Sequence, residues 1–402
     1  SSHARASIQT TIPSRISSIE PLENRTLLSG AEVTSVLADN RGEVIITLNA
    51  QVDFATVNKT SVQVYSPGPD GILGNADDAR VPASVRWTDT GNRITIEGQI
   101  AADTPYRVKL VASRMRDDDG TPIDGDFFGS FPSGDHHGGG NFEFQVKSDK
   151  SATPLVRMST TAGVITLALL RAQKPISVAN FLSYANAGDY DGIFFTRSVA
   201  DFVIQAGSLQ VADDNTIQPV PVGAPIQNEF DDNGTVSNTR GTVAFAKQPP
   251  PQGQPPTDDT INSATNQFFF NLADNGADSG RSNDLDDQNG GFTVFAQIAS
   301  VSGLSTMDNI AGYDTVALNN PVTGDGVIPP IDGTDLTNTP VQDRSLLSVN
   351  LENVSASNVP QFQYVATDGL NPMRDLIMVR RTALLMRVAP LTPVQNTISP
   401  TQ

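Results

Sequence analysis

Apolar and polar residues alternate with a period of two through much of the first third of the chain, the pattern of strands buried on one face. The stretches 33–37, 43–48, 61–65, 83–87, 93–97, 106–110 and 141–146 all show it. Turns rich in Gly, Asn and Asp separate them, so 31–150 predicts a sandwich of seven short strands. Residues 1–30 are polar with little periodicity and read as a flexible leader. A polar linker at 147–152 follows the sandwich, and then the apolar runs resume. Gly163-Val164-Ile165-Thr166-Leu167 reads as a strand. Residues 179–187 read as a helix, with Ser177 as N-cap and Gly188 as stop. Residues 194–207 read as strand, tight turn and strand, and a second helix is predicted near 306–310. The proline-rich stretch 248–256 reads as an extended loop. Residues 319–343 read as a long surface loop and 345–353 as a closing strand. Two further strands, at 361–367 and 376–388, make 357–402 a C-terminal β extension or tail.

Composition narrows the function. The 402 residues hold 26 Lys and Arg against 44 Asp and Glu, a net charge of −18. Nucleic acid is an unfavourable partner for such a chain, because binding it requires clustered cations. No stretch approaches the roughly 20 apolar residues of a membrane-spanning helix. There is no cysteine, so disulfides and thiol chemistry are excluded. The three histidines, His3, His136 and His137, all precede residue 140, so the second half holds no His-based triad. No glycine loop is followed by Lys and Ser or Thr in the manner of a phosphate cradle.

Two acidic loops of the first module place oxygen donors on glycine-containing turns, which suits calcium. One carries Asp70, Asp77 and Asp78, although its spacing is not that of a helix–loop–helix calcium site and it also reads as a solvated acidic loop. The other carries Asp117, Asp118 and Asp119, with Asp124 and Asp126 beyond. His136 and His137 are adjacent among glycines, so on a strand they point apart, a poor metal pair.

In Phe194-Phe195-Thr196-Arg197-Ser198-Val199-Ala200-Asp201-Phe202-Val203-Ile204-Gln205-Ala206-Gly207, one cation stands in a largely apolar run. Arg197, Val199, Val203 and Gln205 share a parity, but the Ala200-Asp201 pair interrupts the register. Alone, Arg197 reads as the rim of a solvated sheet, and Phe202, Phe269 and Phe292 read as core. Three more blocks follow in order: Ser237-Asn238-Thr239-Arg240-Gly241-Thr242-Val243-Ala244-Phe245-Ala246-Lys247, Asn262-Ser263-Ala264-Thr265-Asn266-Gln267-Phe268-Phe269-Phe270-Asn271-Leu272, and Gly291-Phe292-Thr293-Val294-Phe295-Ala296-Gln297-Ile298. With Pro175 and Val178-Ala179-Asn180-Phe181-Leu182 upstream, the set resembles the cyclophilins, peptidyl-prolyl cis-trans isomerases, and looks nearest to their bacterial branch. The resemblance covers about 153–355. The first module resembles the immunoglobulin-like modules of bacterial surface proteins. Ile19-Glu20-Pro21-Leu22-Glu23-Asn24-Arg25-Thr26-Leu27-Leu28-Ser29 resembles a short motif of large exported proteins in one bacterial phylum.

These resemblances imply a mainly β chain. An immunoglobulin-like sandwich (31–150) precedes a cyclophilin-like domain (151–356), an eight-stranded antiparallel barrel capped by two helices. The implied function is isomerisation of X-Pro bonds in exported or extracellular polypeptides, without a cofactor. Arg197 is the implied catalytic arginine, and Gln205 orients it and the substrate. Phe202, Val203, Phe269, Leu285 and Phe292 line the implied proline socket, and Gln267 is a polar residue of the groove. The backbone of Ala246 and Lys247 is expected to pair with the substrate chain, the Lys247 side chain being dispensable. Val203 stands where many relatives have methionine, Ala206 replaces a glycine, and Asp284 stands where an aromatic is common, which weighs against strong cyclosporin binding. The implied location is extracellular or at the cell surface, with the periplasm as alternative. The partners are proline-containing polypeptides, with calcium a candidate on the sandwich. A proline-peptide-binding module of weak turnover, or a structural surface protein, is the competing reading.

Overall fold

The computed structural model describes residues 30–88, 91–101, 104–147, 149–230, 236–277, 280, 284–313, 315–316, 322–323, 326–327, 339–340 and 376–391. The leader with its 19–29 motif and the candidate strands at 345–353 and 361–367 lie outside them. The fold is mainly β. Among the described residues, no helix is long and apolar enough to cross a membrane.

The first module contains β1 (Val33–Ala38), β2 (Glu43–Leu48), β3 (Val62–Ser66), β4 (Ala79–Val81), β5 (Ala83–Trp87), β6 (Arg93–Gly98), β7 (Tyr106–Leu110) and β8 (Phe142–Lys147). One sheet runs β1-β2-β6-β5, and in the other β8-β7-β3-β4 are neighbours. The seven alternating stretches are found as strands to within a residue at each end. The three-residue β4 is too short to show a period and was not legible. Alternate residues face one shared core: Val44, Ile46, Ile94 and Ile96 from one sheet, Tyr106, Val108, Phe142 and Phe144 from the other. Burying each such aromatic contributes about 1.5–3 kcal/mol.

The second module contains β9 (Leu155–Thr160), β10 (Gly163–Leu169), α1 (Pro175–Ala187), β11 (Ile193–Val199), β12 (Val203–Val211), β13 (Ile217–Pro219), β14 (Thr242–Phe245), α2 (Asp258–Ile261), β15 (Phe268–Asn271), β16 (Val294–Ile298) and α3 (Val301–Ala311). Four two-residue strands follow: β17 (Thr315–Val316), β18 (Val322–Thr323), β19 (Gly326–Val327) and β20 (Thr339–Pro340). The chain then forms β21 (Val379–Leu384) and β22 (Arg387–Pro390).

Eight antiparallel strands run β11-β12-β15-β14-β16-β10-β9-β21. The ring is completed by Gly192 N donating to Val379 O (2.7 Å) and Phe195 N to Ile377 O (3.1 Å). The barrel therefore draws on residues beyond the expected boundary at 356. Val379–Leu384 occupies the position between β9 and β11, and is barrel rather than extension. β22 then leaves the barrel and pairs with β8, becoming the fifth strand of a sandwich sheet. Alternation predicted strands here, but nothing local in 376–391 says which sheets accept them.

The barrel interior holds Phe181 of α1, Met307 and Ile310 of α3, and Phe195, Ile204, Phe245, Phe268, Phe270 and Phe295 from the strands. Helix α1 begins at Pro175, four residues before the expected start, and Ser177 lies inside it. Proline suits the first helical turn, where its missing N–H costs nothing. The cap comes from far along the chain: the Glu229 carboxylate accepts from Ile176 N (3.0 Å) and Ser177 N (2.7 Å). A carboxylate there also meets the positive end of the helix dipole. Gly188 ends the helix at φ 85°, a left-handed conformation that glycine adopts without penalty.

Polar contacts bind sandwich to barrel. Arg381 of β21 donates to both oxygens of buried Asp39, Nε to Oδ2 at 2.7 Å and Nη2 to Oδ1 at 3.0 Å. Arg41 pairs with Asp191 (2.6 Å) and Arg157 with Glu43 (3.2 Å). Burial is the largest influence on Glu43 and raises its carboxyl above the ordinary value, with the nearby Arg381 opposing.

Candidate active site

The two faces of the barrel wall divide core from site. On β12, β15, β14 and β16, the side chains of Ile204, Phe268, Phe270, Val243, Phe245 and Phe295 join the barrel core. Their neighbours Val203, Phe269, Ala244 and Val294 form a separate cluster with Leu170 and Leu285. Cross-strand partners share a face, and the register runs Arg197–Gln205–Phe269–Ala244–Val294 across five strands. Phe269 thus belongs to the site, although both its neighbours are core.

Two backbone irregularities place Arg197 in that row. Asp201 adopts φ 60° in the turn, and Val199 then pairs with Val203. The shared parity of Arg197, Val199, Val203 and Gln205 thereby survives as cross-strand pairs. The second irregularity is a break in register between Phe195 and Arg197, which pair with Ala206 and Gln205. Such a bulge lets Phe195 enter the core while Arg197, two residues on, faces the site.

The Arg197 guanidinium carbon lies 5.7 Å from the Phe202 ring centroid. Gln205 Nε2 donates to Gln267 Oε1 at 2.9 Å, joining the two predicted polar residues. Phe269 and Phe292 meet nearly edge-on, with centroids 5.8 Å apart and planes at 70°. Phe202, Ala246 and Phe292 are half-buried around the cluster, so the apolar socket retains an open rim.

Two expectations are corrected. Ala246 N donates to Gln267 O at 2.9 Å, so pairing of a substrate chain through Ala246 is restricted to its carbonyl. The Lys247 side chain is not a bystander. Its Nζ donates to Asn289 O (2.6 Å) and Gly291 O (2.7 Å), and stands 4.7 Å from the Phe292 ring centroid. It fastens the turn that carries one wall of the socket, and burial lowers its pKa to about 8. Asp284 also acts locally. Its Oδ1 accepts from Asp286 N (2.9 Å) and Asp287 N (3.2 Å), capping the turn after Leu285.

A groove of about 590 Å³ adjoins Gln205 and Gln267, and the proline-rich insertion borders it through Gln248 and Pro249, with Asp258 and Asp259 of α2 beyond. Buried amides missed in the sequence position the walls. Asn275 Nδ2 donates to Phe202 O (2.9 Å) and Asn271 Oδ1 (2.8 Å). Asn271 Nδ2 reaches Asn238 Oδ1 (3.1 Å), and Asn238 Nδ2 reaches Phe292 O (2.9 Å) and Asp286 Oδ1 (2.8 Å). Asn238 and Asn271 stand within the site-forming sequence blocks, but an asparagine's burial has no sequence signal of its own.

The acidic loop of the sandwich is satisfied in part, with Asn75 Oδ1 and Asp78 Oδ1 left without a hydrogen-bond partner. Asp70 accepts from Ile72 N and Asn75 Nδ2, and Asp78 pairs with Arg107 (2.8 Å). His136 and His137 are exposed, and their ring nitrogens approach different carboxylates, Glu32 and Asp135.

The outer face of a closed antiparallel barrel thus brings Arg197, Gln205 and Gln267 beside a half-open apolar cluster that includes Phe202, Phe269 and Phe292. The family profile described as cyclophilin type peptidyl-prolyl cis-trans isomerase/CLD matches residues 155–329. A peptidyl-prolyl cis-trans isomerase of Acinetobacter baylyi is 33% identical over 170 residues, covering 42% of this chain and 78% of that protein. One from Streptomyces antibioticus is 38% identical over 161 residues, covering 40% of this chain and 84% of that protein. Isomerase A of Dickeya dadantii is 34% identical over 161 residues, covering 40% and 72%. The chain belongs to the cyclophilin-type peptidyl-prolyl cis-trans isomerases. Its enzymatic activity is therefore the cis–trans isomerisation of peptidyl-prolyl bonds.

Proposed function

We propose that Arg197 accelerates isomerisation by stabilising the twisted amide, and that the clients are exported polypeptides. An X-Pro bond prefers trans by only about 0.5–1 kcal/mol, yet its barrier is about 18–20 kcal/mol because amide resonance must be broken. No proton need move and no covalent intermediate need form. The site has only to bind the twisted state more tightly than either planar one. In that state the prolyl nitrogen turns pyramidal and gains a lone pair. A guanidinium held beside it donates to that nitrogen or to the adjacent carbonyl, while the phenylalanine socket holds the ring. Arginine suits this role because its donors form a rigid, permanently charged fork.

The observation that carries this reading is the cross-strand pair Arg197–Gln205 beside the Phe202, Phe269 and Phe292 walls. The test follows cis-to-trans relaxation of a short X-Pro peptide, which takes tens to hundreds of seconds unaided. Arg197→Ala is expected to lower kcat/KM by about 100-fold or more, the usual cost of losing a preorganised donor, while peptide binding largely survives. Full turnover without the guanidinium overturns the mechanism.

The exported location rests on the 19–29 motif and on the likeness of the first module to immunoglobulin-like surface modules, whose strand arrangement its two sheets match. On this reading the sandwich is a spacer presenting the isomerase outside the cytoplasm. Protease treatment of intact producing cells tests it: loss of the protein is expected, protection that ends on permeabilising the outer membrane supports the periplasm, and protection that ends only on full lysis supports a cytoplasmic location instead.

A further inference from the structure

We propose that Asp124, Asp126 and Asp135 of the sandwich form a calcium site. One carboxylate oxygen from each lies within 4.8 Å of the others. Oxygens on opposite sides of a calcium ion stand about 4.6–5.2 Å apart, so one ion can touch all three.

The second observation is an orphaned atom. Asp124 is fully buried, and its Oδ1 accepts from Asp135 N at 3.1 Å, but its Oδ2 has no hydrogen-bond partner. A buried carboxylate oxygen without a partner is costly, and proteins ordinarily pair such a group or give it a cation. The buried carboxylate Asp39, by contrast, has both oxygens paired with Arg381. At the triad the one ion pair among the described residues is between Asp135 and the exposed His137, at 3.5 Å.

Space around the carboxylates is kept by glycine. A Cβ on Gly134 would come within 2.5 Å of the Asp124 carboxyl, and one on Gly140 within 1.9 Å of Asp126 Oδ2. The donors are all hard oxygens, which suits calcium over zinc. Calcium also tolerates an irregular shell completed by carbonyls and water, whereas magnesium demands a regular octahedron. Bound there, the ion would tie Asp135 back to the 124–126 turn, beside the contact of this segment with the start of β1. Ser133 already links these two, receiving from Val33 N and donating to Asp124 O, both at 2.8 Å.

The experiment is calorimetric titration of the EGTA-treated full chain with calcium chloride, and in parallel with magnesium chloride. The expected result is one calcium site with a dissociation constant of about 10⁻⁴–10⁻³ M, the range of extracellular modules. Asp126→Asn and Asp135→Asn should each weaken it at least tenfold. Asp135 is exposed, so its variant folds whatever the role of the side chain, and unchanged thermal unfolding in EGTA verifies this for both. Absence of calcium binding at 10 mM, about ten times the weakest constant expected, overturns the proposal. So does undiminished binding in either variant. Equal affinity for magnesium overturns the assignment to calcium.

Discussion

Arg197 on β11 stands directly across the hairpin from Gln205 on β12, and Gln205 donates in turn to Gln267 on the segment leading into β15. The cation is thus flanked by an amide whose own orientation is fixed from the far side. Gln205→Ala removes that flank at a net cost of about 1 kcal/mol, roughly fivefold in kcat/KM. Arg197→Lys keeps the charge but loses the fork, so its turnover should fall close to that of Arg197→Ala. Peptide-isomerisation kinetics check both, and a Lys variant with wild-type turnover would show that charge alone suffices.

The lowered pKa of Lys247 gives stability a pH dependence. The group has a folded pKa of about 8 against an unfolded 10.5. Below pH 8 both states are protonated, and the cost of burying the charge is present in full. Between about 8 and 10.5 the unfolded chain binds more protons, so stability rises with pH, and above that window the cost is gone. Wild type should therefore gain stability relative to Lys247→Met across this window, as read by urea unfolding followed by circular dichroism. A difference that stays flat with pH would mean that the two carbonyl acceptors and the Phe292 face offset the burial.

The contact between the modules predicts a second loss of stability. Arg381→Ala leaves Asp39, whose side chain is 5% exposed, without its two charged donors and close to Glu43. Breaking a largely buried pair from one side costs about 3 kcal/mol. Asp39→Asn combined with Arg381→Gln should recover part of it, because no charge is then stranded. Thermal unfolding of these proteins and of the single variants Asp39→Asn and Arg381→Gln checks this, and an additive double variant would argue against direct coupling.

Truncation separates the two roles of the last strands. A chain ending at 384 keeps β21, so the barrel stays closed and isomerase activity persists, while the sandwich loses its edge strand β22. A chain ending at 375 lacks the strand between β9 and β11 and should be inactive. Soluble, active protein from the shorter chain would show that another segment can close the barrel.

Much of this was legible locally. Strand alternation marked the sandwich strands, because a half-buried strand writes its own period into the sequence. The order of Arg197, Gln205, Gln267, Phe269 and Phe292 was legible as a resemblance, and the structure brings these side chains together on one outer face of the barrel. The conformations around Arg197 were less accessible. Phe195 and Arg197 share a parity yet face opposite sides, since the bulge between them depends on the partner strand.

The sequence by itself determined which residues could line a proline site, where the strands fall, and that thiol and His-triad chemistry are excluded. The tertiary structure decided which strands meet. Val379–Leu384 closes a barrel begun more than 200 residues earlier, Arg381 finds Asp39, and Asp135 converges with Asp124 and Asp126. These depend on pairings between segments far apart or looped out, whose partners are chosen by the shape and the unmatched hydrogen bonds of the assembled sheets. Neighbouring residues do not encode that choice.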